Sequence, residues 1–204
     1  MEHAGIILAG GASRRMQAAG HGAGPGGIDK ALLPLAGRPM IAHVVERLGC
    51  VRAISANGDP ERFRSFGLPV LPDRLPDGTP DRPGPLAGVL AGMDWAAAQG
   101  FARIVTASAD TPFLPRDLAA RLLAAGGPVA MATHEGRDHP TLAAWDVSLR
   151  EPLRRALAEG VRRPAVWAEE QGARRVAFFG GDPFFNVNTP EDLAEAERRA
   201  RLPG

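Results

Sequence analysis

The first part of the chain alternates short apolar runs with segments whose apolar residues recur at helical spacing. Residues 4–8 (Ala-Gly-Ile-Ile-Leu) form a continuous apolar run, which is typical of a strand buried on both faces. Ile41, Val44, Val45 and Leu48 follow the i, i+3, i+4, i+7 spacing of a helix packed on a sheet. The same criteria predict strands at 51–56, 68–71 and 103–107, and helices at 86–98 and from Pro115 onward.

This alternation over residues 1–125 predicts an α/β fold, with a mostly parallel sheet and helices on both faces. The last predicted helix begins with Thr189 as N-cap, Pro190 in the first helical position and two acidic residues in its first turn. A length of 204 residues without internal repeats predicts one domain, 1–204. Between these parts, strands are expected near 128–133, 141–145 and 175–179, and helices near 148–158 and 164–171.

Charge and cysteine content exclude several classes of protein. The chain has 24 basic and 23 acidic residues, which argues against binding nucleic acid or an anionic membrane by bulk charge. Cys50 is the single cysteine, so neither an intrachain disulfide nor a cysteine-based zinc cluster can form. The start of the chain lacks a basic segment, and no apolar run approaches the ~20 residues of a membrane span. We therefore expect a cytoplasmic protein.

Two rare residue types draw attention to particular positions. Lys30 is the only lysine among the 24 basic residues, and Asn57, Asn186 and Asn188 are the only asparagines. The remaining basic residues are arginines, which indicates a coding bias against lysine. Positions that keep the rare residue under such a bias are candidates for chemistry that its substitutes cannot supply.

The first candidate site follows the first predicted strand. In a parallel sheet, ligands bind beyond the carboxyl ends of the strands, so the segments after residues 8, 56, 71 and 107 should share one edge. Gly10 and Gly11 would let backbone amides approach an anion, and Arg15 and Lys30 would neutralise phosphate oxygens. The alternative for the two glycines is a tight turn. The common P-loop and the dinucleotide-binding glycine motifs are both absent.

Carboxylate and amide side chains follow the other strands of the same edge. Asp110 could hold Mg²⁺, which needs only one or two protein carboxylates beside substrate phosphates, or it could cap the following turn. Asp73 is a looser case of the same kind. The Asn57 amide offers a donor and an acceptor to a nucleobase edge, although before Gly58 it could also be a turn residue.

Two later segments carry further candidates. Alternation places Asn186 and Asn188 on one face and Val187 on the other, which fits either a ligand contact or the polar side of an edge strand. The segment 137–140 (Arg-Asp-His-Pro) contains His139 and fits either an anion site or a hairpin turn.

Several of these motifs occur together and in a fixed order. Over nearly the whole chain they resemble the molybdenum cofactor guanylyltransferases, and the paired asparagines and His139-Pro140 make the resemblance specific. The matching segments are Leu8-Ala9-Gly10-Gly11 through Arg15-Met16, Asp29-Lys30, Ser55-Ala56-Asn57, Gly84-Pro85-Leu86-Ala87-Gly88, Asp110-Thr111-Pro112-Phe113 and Asn186-Val187-Asn188-Thr189-Pro190-Glu191-Asp192.

The resemblance implies a Rossmann-like nucleotidyltransferase that transfers GMP from GTP to molybdenum-molybdopterin, with Mg²⁺ as cofactor. It further implies transient contact with molybdenum insertion proteins or apo-molybdoenzymes. The site residues that it implies are Leu8, Ala9, Gly10, Gly11, Lys30, Asn57, Asp73 and Asp110 for GTP, Arg15, Lys30 and Asp110 for catalysis, Asp110 for the metal, and Asn186, Asn188 and His139 on the pterin side.

The chain departs from the family pattern at two places. Residues 17–28 lengthen the phosphate loop between Met16 and Asp29, and Gly58 stands where the family often has a basic residue. Three alternatives stay open at this point: a cytidylyltransferase for the same pterin, a sugar-phosphate nucleotidyltransferase, and a non-catalytic nucleotide-binding carrier of the cofactor.

Overall fold

Nine strands can be followed in the computed structural model, which describes residues 2–10, 29–73 and 84–201. Seven of them form one sheet in the order β5-β4-β1-β6-β8-β7-β9, and β2 and β3 pair separately. The strands are β1 (His3–Leu8), β2 (Pro34–Leu35), β3 (Arg38–Pro39), β4 (Val51–Ser55), β5 (Val70–Leu71), β6 (Arg103–Ser108), β7 (Val129–His134), β8 (Arg137–Asp146) and β9 (Arg174–Ala177).

The seven-stranded sheet is mostly parallel, as the sequence predicts. β1 pairs in parallel with β4 and β6, β4 with β5, and β7 with β9. β8 runs antiparallel to both of its neighbours, β6 and β7. The carboxyl ends of β1, β4, β5 and β6 therefore lie at one edge of the sheet, where the sequence places the candidate site.

Helices cover both faces of this sheet. The α-helices of the described residues are α1 (Met40–Leu48), α2 (Gly84–Ala98), α3 (Leu118–Ala125), α4 (Arg150–Ala158), α5 (Pro164–Glu170) and α6 (Pro190–Ala200). Short 3₁₀ helices span Lys30–Leu32, Pro60–Phe66 and Val147–Leu149. None of the described helices combines the length and the apolar character needed to cross a membrane.

Strand alternation divides the core into two layers. In β1, Ile7 packs with α1 and α3 on one face, whereas Ile6 and Leu8 pack with α2, α4 and α5 on the other. Trp145 and Trp167 stack in this second layer with ring centroids 5.8 Å apart, which assigns both to the core. A third, smaller cluster joins α6 to the β2–β3 hairpin.

Local details differ from the sequence prediction at two turns. The helix expected from Pro115 begins at Leu118, whose N–H donates to the Pro115 carbonyl oxygen, so the proline lies in the preceding turn. Of the two interpretations of 137–140, an anion site or a hairpin turn, the turn is wrong: it lies at Glu135 and Gly136, which adopt the positive φ angles that a tight hairpin requires. His139 consequently lies within β8.

Candidate functional site

The four strand ends named above meet at one edge of the sheet. There the Ala9 N–H donates to the Ser55 carbonyl oxygen, and the Ala109 N–H donates to that of Leu8. These bonds fix the first residues beyond β1 and β6 around a cavity of about 340 Å³. The cavity is lined by Leu8, Ala9, Gly10, Asp29, Lys30, Ala31, Pro85, Ser108, Ala109, Asp110, Thr141, Asn186 and Asn188.

Lys30 and Asp110 form an ion pair inside this cavity. The Lys30 Nζ lies 2.5 Å from Asp110 Oδ2 and 2.7 Å from the Asn188 amide oxygen. The Ser108 hydroxyl donates to the other carboxylate oxygen of Asp110 at 2.6 Å. Both charged side chains are only 16% exposed, so their interaction is screened less than at the open surface. Lys30, Asp110 and Asn188, predicted separately from the sequence, are therefore in direct contact.

Each of these side chains is held by its own element. Lys30 begins a 3₁₀ helix whose N-cap is Asp29, and Asp29 Oδ1 accepts from the Ala31 N–H. Asp110 follows β6. Asn188 lies just before α6, where its N–H donates to the Asp192 carboxylate.

The segment before α6 confirms the predicted alternation but does not join the sheet. Val187 is fully buried in the third cluster, and its N–H donates to the Asp110 carbonyl oxygen at 2.9 Å. Asn186 and Asn188 point the other way and line the cavity. Their shared face is therefore a cavity wall, which excludes the alternative of an edge strand.

Asp73 and Asn57 lie beside the cavity and do not line it. The Ser55 hydroxyl donates to Asp73 Oδ1, and the Asp73 N–H donates to the Asn57 amide oxygen at 2.9 Å. Burial raises the pKa of the Asp73 carboxyl, and the bond from Ser55 opposes this shift. A Cβ atom on Gly10 would overlap Asp73 Oδ2, so this carboxylate packs directly behind the backbone of Gly10.

A second cavity of about 610 Å³ adjoins the first. The two share Thr141, Asn186 and Asn188, and the second is also lined by Thr111, His134, Glu135, Arg137, His139, Leu142, Gly181, Asp182, Phe184 and Phe185. The His139 ring lies 4.6 Å from that of Phe184. Burial lowers the pKa of His139, and the neighbouring Arg137 and His134 lower it further, so the imidazole is neutral at pH 7.

Several residues around the site escaped the sequence analysis. Ser55 and Ser108 bind the two carboxylates, and Thr141 lies between the two cavities. Ser55 lies in a family motif quoted above, but only the position of each serine at the end of an apolar strand could have indicated that its hydroxyl binds a carboxylate. Of the predicted site residues, Gly11 and Arg15 lie outside the described residues, as does the segment 17–28.

The site geometry can now be compared with known proteins. A family profile described as the MobA-like NTP transferase domain matches residues 5–177, most of the chain. The chain belongs to this family. Membership makes it a nucleotidyltransferase of the MobA-like NTP transferase family and confirms the predicted Rossmann-like α/β fold class.

Individual relatives of this MobA-like NTP transferase carry more specific names. A molybdenum cofactor guanylyltransferase of Cereibacter sphaeroides is 50% identical over 201 residues, covering 97% of this chain and 96% of the relative. One of Mesorhizobium japonicum is 46% identical over 209 residues, covering 96% and 94%. The crystal structure of molybdopterin-guanine dinucleotide biosynthesis protein A from Archaeoglobus fulgidus has a TM-score of 0.71 and 24% identity, with 98% of each chain covered, and supports the fold. The sequence relatives favour the guanylyltransferase interpretation over its alternatives.

Proposed function

We propose that the chain is a molybdenum cofactor guanylyltransferase, which transfers GMP from GTP to molybdenum-molybdopterin and releases pyrophosphate. The observation that carries the proposal is the contact of Lys30, Asp110 and Asn188 in the first cavity, where Asn188 also lines the second cavity. A cation and a carboxylate there can act on a phosphate held in the first cavity while a second substrate occupies the adjoining one. The names of the relatives, at 45–50% identity, support guanylyl as the transferred group.

The first cavity is proposed to hold GTP. Leu8, Ala9 and Gly10 present backbone to the triphosphate, together with Gly11 beyond the described residues. Lys30 supplies positive charge to the phosphates. Asn57 and Asp73 are assigned to the nucleoside end, and they are held there by the bond of the Asp73 N–H to the Asn57 amide oxygen and by the bond of the Ser55 hydroxyl to Asp73.

Mg²⁺ is the proposed cofactor, in keeping with the divalent metal that nucleotidyltransferases generally use. The Asp110 carboxylate fits this ion, since it offers hard oxygen ligands and Mg²⁺ requires only one or two protein carboxylates beside substrate phosphates. Among the described residues, no cluster of three or more His, Cys, Asp or Glu side chains could hold a metal. A bound Mg²⁺ would neutralise negative charge on the phosphates.

The second cavity is proposed to hold the pterin substrate. Asn186, Asn188 and the neutral His139 line it and offer both donors and acceptors to a heterocycle. From there the terminal phosphate oxygen of molybdenum-molybdopterin attacks the α-phosphorus of GTP. A new P–O bond forms, the bond to the bridging oxygen breaks, and pyrophosphate leaves with the electron pair.

The residues of the chain act on this reaction by positioning and charge. Lys30 compensates charge on the triphosphate as the leaving group departs, and Asn188 orients the Lys30 ammonium. Arg15 is expected to assist Lys30. No covalent intermediate with the protein is required.

The proposal extends to the wider setting of the reaction. It treats residues 1–204 as one nucleotidyltransferase domain, supported by a sheet whose strands run from His3 to Ala177. It places the reaction in the cytoplasm, where GTP is available. It also includes transient contact with molybdenum insertion proteins or apo-molybdoenzymes, which receive the product.

Nucleotide binding is the first test of this function. Calorimetry with GTP, CTP and ATP, each with and without Mg²⁺, should give tight and Mg²⁺-dependent binding of GTP alone. A preference for CTP would keep the mechanism and change the product. Binding of none of the three would refute the enzymatic proposal and favour the carrier.

Replacement of Lys30 tests the catalytic assignment. We expect Lys30→Ala to lower pyrophosphate release by roughly 10²–10³-fold, because it removes charge stabilisation directed at the transferred phosphate. Arg116→Ala is the matched control, since Arg116 is an exposed basic residue that pairs with Glu46 at the surface and lines neither cavity. Wild-type turnover in the Lys30→Ala protein would show that the assigned role is wrong.

A further inference from the structure

Arg62 joins two segments of the nucleotide cavity that are far apart in sequence. It lies in the 3₁₀ helix Pro60–Phe66, which Asp59 caps by accepting from the Glu61 N–H. Its Nε donates to Asp29 Oδ2 at 2.8 Å. Its Nη1 donates to the Asp59 carbonyl oxygen at 2.8 Å, and its Nη2 to that of Asn57 at 2.6 Å. One guanidinium thus ties the segment before Lys30 to the loop after β4.

The surroundings of Arg62 hold this guanidinium in place. The side chains of Arg62 and Asp29 are only 23% and 17% exposed, so the pair is better shielded from solvent than an ordinary surface ion pair. The guanidinium also lies 4.7 Å from the centroid of the Phe63 ring. The absence of a side chain at Gly58 makes room for the guanidinium, because a Cβ on Gly58 would lie 3.1 Å from Arg62 Nη1.

Asp29 transmits this contact toward Lys30. Its two carboxylate oxygens are used separately, Oδ1 to cap the 3₁₀ helix at the Ala31 N–H and Oδ2 to accept from Arg62. Since Lys30 is the first residue of that helix, its backbone position depends on the orientation of the Asp29 carboxylate.

Asn57 transmits the other end of the contact. Its carbonyl oxygen accepts from Arg62, and its side-chain oxygen accepts from the Asp73 N–H. Asp73 is bound in turn by the Ser55 hydroxyl and packs behind Gly10. Hydrogen bonds therefore connect Asp29 through Arg62 and Asn57 to Asp73, which packs behind Gly10 beneath the proposed triphosphate site.

We propose that Arg62 is a positioning residue for GTP, which fixes the spacing between Lys30 and the Asn57 loop before the nucleotide binds. The proposal rests on the function proposed above. Arg62 does not line either cavity, so it acts through Asp29 and Asn57 and not on the reacting atoms. Pre-organisation of this kind improves binding because less conformational freedom is lost when the ligand arrives.

The test compares Arg62→Gln and Arg62→Lys with Arg64→Gln in the full-length protein. Arg64 lies on the same 3₁₀ helix, but its side chain is 82% exposed and its ion pair with Glu61 is long, at 4.0 Å. It is therefore the matched control. We expect Arg62→Gln to raise the Kd and KM for GTP roughly 10- to 100-fold, with the KM for molybdenum-molybdopterin unchanged. Arg62→Lys should restore part of this loss, because a single ammonium cannot reach three acceptors.

Asp29→Asn supplies a second, independent variant. It keeps a side-chain oxygen to cap the Ala31 N–H and weakens the charged contact with Arg62. Combined with Arg62→Lys, it should raise the Kd for GTP by less than the product of the two single effects, because both variants disturb the same contact. Fully multiplicative effects would overturn the proposal.

The outcomes also separate this proposal from the function on which it rests. If the wild-type protein binds none of the nucleotides, the proposed function fails and Arg62 loses its role with it. If the wild type selects GTP and Arg62→Gln binds it as Arg64→Gln does, only the positioning role fails. A loss that raises the KM of both substrates equally and lowers the melting temperature would show Arg62 to be merely structural, and would likewise overturn the proposal.

Discussion

At the scale of single residues, the edge of the sheet that carries the candidate site requires a glycine at one position as much as it requires its polar side chains. Gly88, in the first turns of α2, faces the ends of β1 and β4. A Cβ there would lie 2.6 Å from the Ser55 Oγ and 3.1 Å from Leu8 Cδ2. The same serine hydroxyl holds Asp73. A methyl group at Gly88 therefore has no room, and a rotation of the Ser55 side chain to make room for it would break the hydrogen bond from Ser55 to Asp73.

Gly88→Ala should destabilise the protein by roughly 1–3 kcal/mol, the usual cost of overpacking a core. Urea unfolding of the wild type, Gly88→Ala, Ser55→Ala and the double variant would measure it. The double variant should lose less than the sum of the single losses, because Ser55→Ala removes the closest clashing atom. Unchanged stability in Gly88→Ala would contradict this description of the packing.

The sequence identifies the rare residues of the site but not the residues that hydrogen-bond to the site and hold it in place. Lys30 and the asparagines stand out by residue usage, and the family motifs give them an order along the chain. Arg62 shows no such signal, since arginine is common here and its partner Asp29 is 33 positions away. Ser55 belongs to a family motif, but nothing in the sequence shows that its hydroxyl binds Asp73. The contact between Lys30 and Asn188 spans 158 positions, so only the folded topology could establish it.

At the scale of elements, the start of α6 connects helix stability to the site. Thr189 and Asp192 form a capping box, in which the Thr189 hydroxyl accepts from the Asp192 N–H and the Asp192 carboxylate accepts from the Thr189 N–H. The same carboxylate oxygen also accepts from the Asn188 N–H at 2.8 Å. The helix cap therefore fixes the residue that contacts Lys30.

Two variants of this cap should separate its structural role from its functional role. Thr189→Ala should cost about 1 kcal/mol of stability, the usual value of a lost N-cap, with turnover largely kept. Asp192→Ala should lower stability similarly and also lower turnover, because it frees the backbone of Asn188. Urea unfolding and pyrophosphate release would measure the two effects, with Thr189→Ser as the conservative control. Equal turnover in the two alanine variants would refute the link to Asn188.

Most elements follow from the sequence because their patterns are local. The predicted strands and helices of the first half reappear with ends shifted by at most a few residues. The turn between β7 and β8 is harder to predict, since its decisive feature is the positive φ of Glu135, an uncommon conformation for a non-glycine residue. The extended segment before α6 resembles a strand in its alternation, but it packs on the third cluster and forms no ladder.

At the scale of the whole molecule, stability should depend on pH in two separate ranges. His139 has a lowered pKa, so the folded state resists its protonation, and the associated stability is present above about pH 6.5 and lost as the pH falls below it. Arg38 and Arg116 lower the pKa of Glu46 to about 2. Its contribution is present above pH 4.5 and is lost only in stronger acid.

His139→Gln should flatten the upper part of this dependence. Between about pH 7 and pH 5, the wild type should lose more free energy of unfolding than the variant, because only the wild type must protonate a half-buried imidazole. Urea unfolding across this range would measure the free energy of unfolding of both proteins. The contributions of the carboxyl groups that both proteins share cancel in the difference. Parallel curves would show that His139 is not the group responsible. Arg137 and His134 oppose the protonation of His139, whereas Asp182 and Asp138 favour it.

The two edges of the seven-stranded sheet bear on how the protein behaves at high concentration. β5 offers only two residues for pairing, and β9 begins with the exposed residues Arg174 and Arg175. Arg175 is held by Asp138 and Glu169, which keeps its charge beside the open strand. Two residues after β9, Phe179 is 85% exposed, whereas Phe178 is buried in the core. An exposed aromatic side chain beside an open edge strand favours association between copies of the chain, and the charges of the two arginines on β9 oppose it.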